Sequence, residues 1–346
     1  MKDIIAQLIG GMTIDEKREL FEALRAAIAA DLAGWDAGER PTCCPRCGYT
    51  GLVKKGHNAD GAQRWMCKSC GATFCAGTMS LIGQSKLPPE TWARFAWCLV
   101  ARKSLRECAR DCGVCLRTAW YMRIRACEVM SRSLEKFRTE GTRTEADGTF
   151  LNESLKGNRT RPNATPMPRK PRRNGKLHVR GISNLKVCVV CAANDLGDSF
   201  AAVAARGRAG SADLTEVLDA AGVGEGTRLA TDGHRSYAGA VAALRADWEA
   251  LPSRSAEARR SLALVNALHD RIKAFLRPFY GVSSKWLQHY LWWFRYADQF
   301  VGGDASREER LAADQVAGHY ELTRRAAIEA PQPFWDFWEG EVPEGA

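Results

Sequence analysis

The sequence predicts a multidomain α/β protein. Its 346 residues, 45% of them hydrophobic, are enough for two or three domains with proper cores. Up to residue 138, helical periodicity surrounds one stretch rich in cysteine and glycine, and from residue 142 short β-rich runs alternate with helical stretches. The charged fraction of 26% excludes a wholly disordered chain, and the sequence has no apolar run of membrane-spanning length.

Changes of pattern divide the chain into five parts. The start lacks the apolar core and cleavage site of a signal peptide, so we expect a cytoplasmic protein. In that compartment, thirteen cysteines favour reduced thiols and metal ligands over disulfides. The predicted parts are a helical segment 1–38, a cysteine ribbon 41–76, a second helical segment 86–138, an α/β domain 142–300 and an acidic tail 301–346.

The first helical segment is amphipathic. Ile4, Leu8, Leu20 and Leu24 recur at helical spacing between residues 3 and 32. The run from Thr13 to Glu16 fits a capping box, which predicts a helix start at this point.

The cysteine ribbon is the most specific local pattern. Two CxxC hooks, each followed by glycine, are separated by the nineteen residues between Cys47 and Cys67. A two-residue gap lets both sulfurs of a hook face one ion, and glycine allows the tight turn behind them. A module this short cannot build its own core, so metal binding would supply its folding energy. The pattern predicts a structural zinc site with a redox role as the alternative, and its ligands are Cys44, Cys47, Cys67 and Cys70.

Two further CxxC pairs lack the glycine that follows each hook of the ribbon. Cys112 and Cys115 flank a turn between helices, and Cys188 and Cys191 lie in an apolar strand. Cysteine often behaves as a small buried hydrophobe, so both pairs are predicted to pack in cores.

Residues 104–125 have the pattern of a helix-turn-helix. Ala109 is small where two helices would cross, Gly113 provides the turn, and Arg117 with Thr118 opens the second helix. Arg123 continues that helix, so polar and basic groups would meet the major groove of DNA. An ordinary helical hairpin is the alternative.

The positive charge is concentrated in one stretch. Between Ser154 and Asn194 there are ten basic residues and no acidic one, whereas the rest of the chain is neutral. Such an excess predicts binding to a polyanion, with a solvated linker as the alternative. The basic loop 156–180 supplies the candidate DNA contacts Lys156, Arg169, Lys170, Arg172 and Arg173.

The α/β domain carries a set of oxygen ligands. Asp147 lies in one predicted strand, Asp232 ends another, and Asn266 follows on a helix. Lys273 is two turns beyond Asn266, so the two side chains share a helix face. Such ligands suit Mg²⁺ or Mn²⁺, and a pair of these ions can promote phosphoryl transfer. Lys273 would then meet a substrate phosphate.

These residues stand in motifs that resemble those of bacterial insertion-sequence transposases of the zinc-ribbon DDE class. The resemblance extends from the cysteine ribbon to about residue 300. It includes Asp147-Gly-Thr-Phe and Thr231-Asp-Gly-His-Arg-Ser-Tyr. Its most specific stretch is Val265-Asn-Ala-Leu-His-Asp-Arg-Ile-Lys, followed by Gly281-Val-Ser-Ser-Lys-Trp-Leu-Gln-His-Tyr-Leu-Trp-Trp-Phe.

The resemblance implies an RNase H-like mixed-sheet catalytic domain that cleaves transposon ends and transfers strands into target DNA. The implied triad is Asp147, Asp232 and Asn266 around Mg²⁺ or Mn²⁺, with Lys273 beside it and structural Zn²⁺ in the ribbon. Asn266 stands where Glu is usual, and His269, one turn on, is the competing third residue.

The resemblance also implies partners and a location. The implied partner is double-stranded DNA at the transposon ends and in the target, bound by a homodimer or higher oligomer. No membrane partner is implied, and the implied location is the nucleoid in a bacterial cytoplasm. A catalytically inactive or host-adopted protein, which keeps the ribbon and helices only to bind DNA, is the alternative.

Overall fold

The computed structural model describes residues 10–34, 41–59, 61–75, 78, 81, 85–156, 182–252, 260–299, 310–311, 314 and 324–336. The chain is mixed α/β and divides into two compact units. The first unit takes residues 1–132 and 303–322, and the second takes 133–302 and 323–346. No helix in the described part is both long and apolar enough to cross a membrane.

The first unit begins with helix α1, Ile14–Gly34, and a small sheet. The predicted capping box is confirmed, because the Thr13 N–H donates to Glu16 Oε2 (2.7 Å) and the Glu16 N–H to Thr13 Oγ1 (3.3 Å). The sheet is antiparallel in the order β1 (Leu52–His57), β2 (Gln63–Cys67) and β3 (Thr73–Phe74). Its small apolar core consists of Leu52, Trp65 and Phe74 packed beside Cys44 and Cys67.

Three helices complete the described core of this unit. They are α2 (Pro89–Val100), α3 (Leu105–Asp111) and α4 (Leu116–Arg132). Ser104 and Glu107 form a reciprocal capping box that starts α3, and Gly113 takes φ +64° in the turn before α4. The predicted helix, turn and helix are therefore present as local structure.

A mixed five-stranded sheet forms the second unit. Its strands are β4 (Arg143–Asn152), β5 (Lys186–Asn194), β6 (Ser199–Arg206), β7 (Arg228–Thr231) and β8 (Asp247–Ala250). They are ordered β6-β5-β4-β7-β8. β5 runs antiparallel to both β4 and β6, whereas β7 runs parallel to β4 and to β8. β4 is therefore central, and β7 lies next to it in the same direction.

Helices cover both faces of this sheet. α5 (Ser211–Ala220) and α6 (Arg235–Leu244) pack on the face that contains Ala146 and Val190. α7 (Ala263–Leu276) lies over β4 and β5, and α8 (Leu287–Gln299) packs on β6. A short helix α9, Arg324–Glu329, follows later in the chain. Since strand residues alternate between faces, Glu145 and Asp147 point to the face opposite Ala146.

Two features differ from the sequence prediction. The sequence pattern predicts one helix over 236–246, but α6 ends at Leu244, Arg245 takes φ +55°, and β8 follows. The apolar periodicity of α7 predicts a buried stripe that runs on to Leu276 and Phe279, but the buried stripe ends in Phe275 and these two residues are only partly buried. The helix ends at Leu276 and continues as a 3₁₀ turn, which changes the direction of the later side chains.

Candidate metal centre and candidate active site

The four ribbon cysteines converge on one point. Their sulfur atoms all lie within 4.8 Å of one another. Cys44 Sγ is 3.7 Å from Cys70 Sγ, and Cys47 Sγ is 3.6 Å from Cys67 Sγ. A tetrahedral zinc ion with Zn–S bonds of about 2.3 Å requires sulfur pairs about 3.8 Å apart. This cysteine set could therefore hold a metal such as zinc.

The two hooks reach this geometry in the same way. Gly48 and Gly71 take φ +72° and +68°, and their N–H groups donate to the carbonyls of Cys44 (2.8 Å) and Cys67 (3.0 Å). Each turn also aims a backbone N–H at a sulfur, from Arg46 to Cys44 (3.4 Å) and from Ser69 to Cys67 (3.3 Å). The glycines following the hooks, which motivated the prediction, thus have a direct conformational role.

Backbone donors favour thiolates at this site, and the crowding of thiols opposes them. The backbone N–H of Cys70, helped by that of Ser69, lowers the pKa of Cys67 to about 7. The Tyr49 N–H lowers the pKa of Cys47, but desolvation and the neighbouring thiols together raise it to about 12. A bound cation would remove this conflict, because it stabilises all four negative sulfurs.

The remaining cysteines lie outside this set. Cys43 is exposed, and Cys75 accepts from Asn58 Nδ2 (3.0 Å). Core packing is confirmed for Cys112, Cys188 and Cys191, which are buried. It is wrong for Cys115, which is exposed at the start of α4, where its sulfur contacts Thr118 Oγ1 (3.2 Å).

The helical DNA-contact candidates fall into two groups. Arg117 is exposed and Thr118 is half-buried at the start of α4, where both remain accessible to a ligand. Arg123 is only 1% exposed, and its guanidinium donates to the Lys103 carbonyl (2.6 Å) and to Cys108 Sγ (3.3 Å). The prediction that Arg123 contacts DNA is therefore corrected, because this side chain holds α4 against the start of α3.

The two predicted aspartates come together at the middle of the large sheet. The last residue pair between parallel β4 and β7 is Glu145 with Ala230, and two further steps place Asp147 beside Asp232. Burial raises the pKa of Asp147 to about 6, and the Asp232 carboxylate adds to this rise while Lys273 opposes it. The Gly148 N–H donates to Asp147 Oδ1 (2.7 Å), and the His234 N–H donates to Asp232 Oδ1 (3.0 Å).

Helix α7 presents Asn266 and Lys273 towards the same side. Arg271 of α7 pairs with Asp298 of α8 (3.1 Å), and α8 packs on β6 at one edge of the sheet. At 3.6 residues per turn, Lys273 lies about 200° and Asn266 about 220° around the axis of α7 from Arg271. Asn266 and Lys273 therefore share an exposed face of α7 that differs from the face of Arg271. Lys273 is near enough to Asp147 to lower the pKa of that carboxyl.

His269 is a buried residue of the same helix and lies close to Asp147. It is 6% exposed, and its ring lies against the backbone carbonyl of Asp147. Burial, together with the nearby Lys273 ammonium, lowers its pKa to about 4. Its Nε2 atom has no hydrogen-bond partner within the described residues. In that part of the chain, no third His, Cys, Asp or Glu joins Asp147 and Asp232 closely enough to share one ion.

Glu145 is a site residue that the sequence analysis missed. Its Oε2 accepts the free N–H groups of Leu264 (2.8 Å) and Val265 (3.1 Å) at the start of α7. Its Oε1 accepts from Arg143 (2.9 Å), which also forms two bonds with Glu249. Glu145 thus holds the start of α7 over β4. It lies two residues before Asp147 in β4, so the two side chains are on the same face of the sheet. The signal in the sequence was the alternation of two carboxylates along one strand.

The basic loop is described only at its first residue. Lys156 Nζ donates to the carbonyls of Phe279 (3.3 Å) and Gly281 (3.2 Å). The other four candidates, Arg169, Lys170, Arg172 and Arg173, lie outside the described residues.

Comparison of this chain with protein-family models, with curated proteins and with solved structures finds no match.

Proposed function

We propose that this protein is a DNA transposase, which binds the ends of an insertion sequence, cleaves them and transfers the strands into target DNA. The observation that carries the proposal is the pairing of Asp147 and Asp232 on adjacent parallel strands, with Lys273 of α7 directed to the same side. The mixed sheet around them agrees with the RNase H-like fold that the sequence motifs imply.

The residues present fit a divalent cation such as Mg²⁺ or Mn²⁺. Two carboxylates are brought close enough that Asp232 raises the pKa of Asp147, a repulsion that a cation would relieve. The sequence motifs imply Asn266, which is exposed on α7, as the third ligand. When bound, such ions supply the positive charge that phosphoryl transfer needs at the attacking and leaving oxygens.

The chain's own groups then have distinct tasks. Asp147 and Asp232 would hold the divalent cation, because they are the two carboxylates that meet at the middle of the sheet. Lys273, exposed at the same side, attracts that phosphate and offsets its charge. The helix α7 keeps these groups in register, because Glu145 fastens its first turn to β4.

The first unit would supply DNA binding. The zinc-bound ribbon forms a rigid module, and the exposed start of α4 offers Arg117 and Thr118 to the major groove. Two transposon ends and a target must be joined in one reaction, so we propose that the protein acts as a homodimer or higher oligomer on double-stranded DNA.

A strand-cleavage assay tests the proposal. The zinc-loaded protein is incubated with Mg²⁺ or Mn²⁺ and a DNA that carries the sequences flanking its gene. Asp147→Ala and Asp232→Ala should abolish cleavage while DNA binding is kept, because each removes a charged ligand. Loss of DNA binding in both variants, or cleavage unaffected by either, would reject the assignment.

The third ligand is tested in the same assay. Asn266→Ala should reduce cleavage severely, whereas Asn266→Asp should retain some activity with a changed preference between Mg²⁺ and Mn²⁺. If Asn266→Ala cleaves normally and His269→Ala is inactive, His269 takes the third position instead.

One observation favours a second candidate, a DNA-binding protein without catalysis. Within the described residues, no third carboxylate or histidine completes the pair formed by Asp147 and Asp232. Sequence-specific DNA binding without cleavage under either metal would favour this candidate.

A further inference from the structure

The corner that follows α7 carries an aromatic ring almost entirely in solvent. Tyr280 is 93% exposed, whereas the neighbouring Phe279 packs against Tyr290 (5.0 Å between ring centroids) and Trp293 (5.3 Å). Tyr280 also takes φ +50°, a left-handed conformation that a bulky residue adopts at a cost. Its ring therefore contributes little to the core, and its backbone does not favour a side chain of this size.

The backbone on both sides of Tyr280 is held in place. Lys156 Nζ donates to the carbonyls of Phe279 and Gly281, which flank Tyr280. The Ser284 N–H donates to the Ser154 carbonyl (2.8 Å), and the Ser154 N–H donates to Ser284 Oγ (2.9 Å). The corner is thus fastened to the chain that follows β4, so the exposed ring is presented from a fixed position.

The surroundings of the ring are positively charged. No acidic residue occurs between Arg271 and Ala297, and the Lys156 ammonium lies at the corner, on the carbonyls of Phe279 and Gly281. Lys273 and Arg277 are exposed and form no ion pair with any described residue. Lys273 lies in the last turn of α7, near enough to Asp147 to lower the pKa of that carboxyl, and Arg277 follows one turn later at the start of the 3₁₀ turn that leads to Tyr280.

We propose that Tyr280 stacks on an unpaired base of the DNA strand whose phosphates follow Lys273 and Arg277 away from the aspartate pair. Aromatic rings beside cations bind single-stranded nucleic acid in this way, because every base offers a π-face and every nucleotide a phosphate. The inference rests on the proposed function and adds to it a requirement for unpaired nucleotides beside the cleaved position.

Binding of two fluorescent DNA probes tests the inference. One probe is a full duplex, and the other has the same sequence with a short single-stranded gap. The zinc-loaded full chain is titrated without Mg²⁺, so that the probes stay intact. Tyr280→Ala should weaken binding to the gapped probe about tenfold and leave duplex binding unchanged. Tyr280→Trp should retain tight binding, since it keeps a stacking surface.

Two controls separate stacking from structure. Leu196→Ala removes another exposed apolar side chain, at the opposite end of β4, and should change neither affinity. Tyr280→Gly should lose the gapped-probe affinity while its thermal midpoint stays equal to or above that of the natural chain, because glycine favours positive φ. Replacing the gap nucleotides by abasic ones should remove the difference between the natural chain and Tyr280→Ala.

Three results would overturn the inference. Equal affinity of the natural chain and Tyr280→Ala for the gapped probe excludes stacking, and an equal loss on both probes assigns Tyr280 to duplex binding. A lower thermal midpoint of Tyr280→Gly assigns the ring a structural role. If the natural chain binds neither probe, the proposed DNA function fails as well, whereas binding that ignores Tyr280 rejects the stacking inference alone.

Discussion

Glu145→Gln should loosen helix α7 without changing the shape of the residue. The glutamate is 3% exposed, accepts two N–H groups of the first turn and faces the positive end of the helix dipole. A partly buried carboxylate at a helix N-terminus contributes up to about 2 kcal/mol, and a hydrogen bond to a charged group about 1.5–3 kcal/mol. Glutamine keeps one acceptor oxygen but no charge, so we expect the first turn of α7 to lose about 2–3 kcal/mol of stability.

Native-state hydrogen exchange measures this loss where it arises. The amides of Leu264 and Val265 should exchange about 30 to 150 times faster in Glu145→Gln, if their opening is local. Glu249→Gln is the matched control, since Glu249 also binds Arg143 but touches no amide of α7, and its side chain is 31% exposed. Unchanged protection in Glu145→Gln, or an equal loss in Glu249→Gln, would refute the capping argument.

Three further changes have outcomes that the structure determines. Cys70→Ser should release zinc and unfold the ribbon, whereas Cys43→Ser should keep one zinc per chain by elemental analysis; zinc retained by both variants would contradict the site. Asp198→Asn should cost about 1 kcal/mol in urea unfolding near neutral pH, because the Arg138 guanidinium lowers the pKa of this carboxyl to about 2 but is itself more than half exposed. The Asp198–Arg138 ion pair contributes fully to stability above about pH 4, and this contribution disappears as the pH falls towards 2. A stability difference between Asp198→Asn and the natural chain that grows on acidification would contradict this role of the ion pair. Gly233→Ala should destabilise by about 2–3 kcal/mol, since φ is +69° and a Cβ atom would lie 2.8 Å from the Leu251 carbonyl oxygen, whereas Gly226→Ala, with φ +81° and open space, should cost about 1 kcal/mol; equal costs would show that the close approach is unimportant.

The elements whose pattern is local could be predicted from the sequence. The sequence predicts a β-rich run at Arg228–Thr231 and a helix at Ala212–Ala220, and the structure has β7 with the same bounds and α5 starting one residue earlier. The strand β8 could not be predicted, because Asp247–Ala250 is only four residues long, is mostly exposed and forms at the edge of the sheet by pairing with β7. Its hydrogen bonds come from a partner strand, and no local pattern records that partner.

The sequence alone also identified the four ribbon cysteines that come together, since the spacing of the two CxxC hooks leaves little choice of geometry. It nominated Asp147 and Asp232 through their places in strands. Only the tertiary structure decided that these two lie side by side, because the register of β4 with β7 joins residues more than eighty positions apart.

The tertiary structure likewise decided which charged side chains are exposed and which are buried, although they look equivalent in the sequence. Arg117 and Arg123 both belong to α4, yet one is exposed and the other is enclosed by α3 and the turn before it. Glu145 caps a helix that begins 118 residues later. A side chain's charge is fixed by its chemistry, but its partners are fixed by packing, and packing brings together residues whose distance along the chain carries no information about their distance in space.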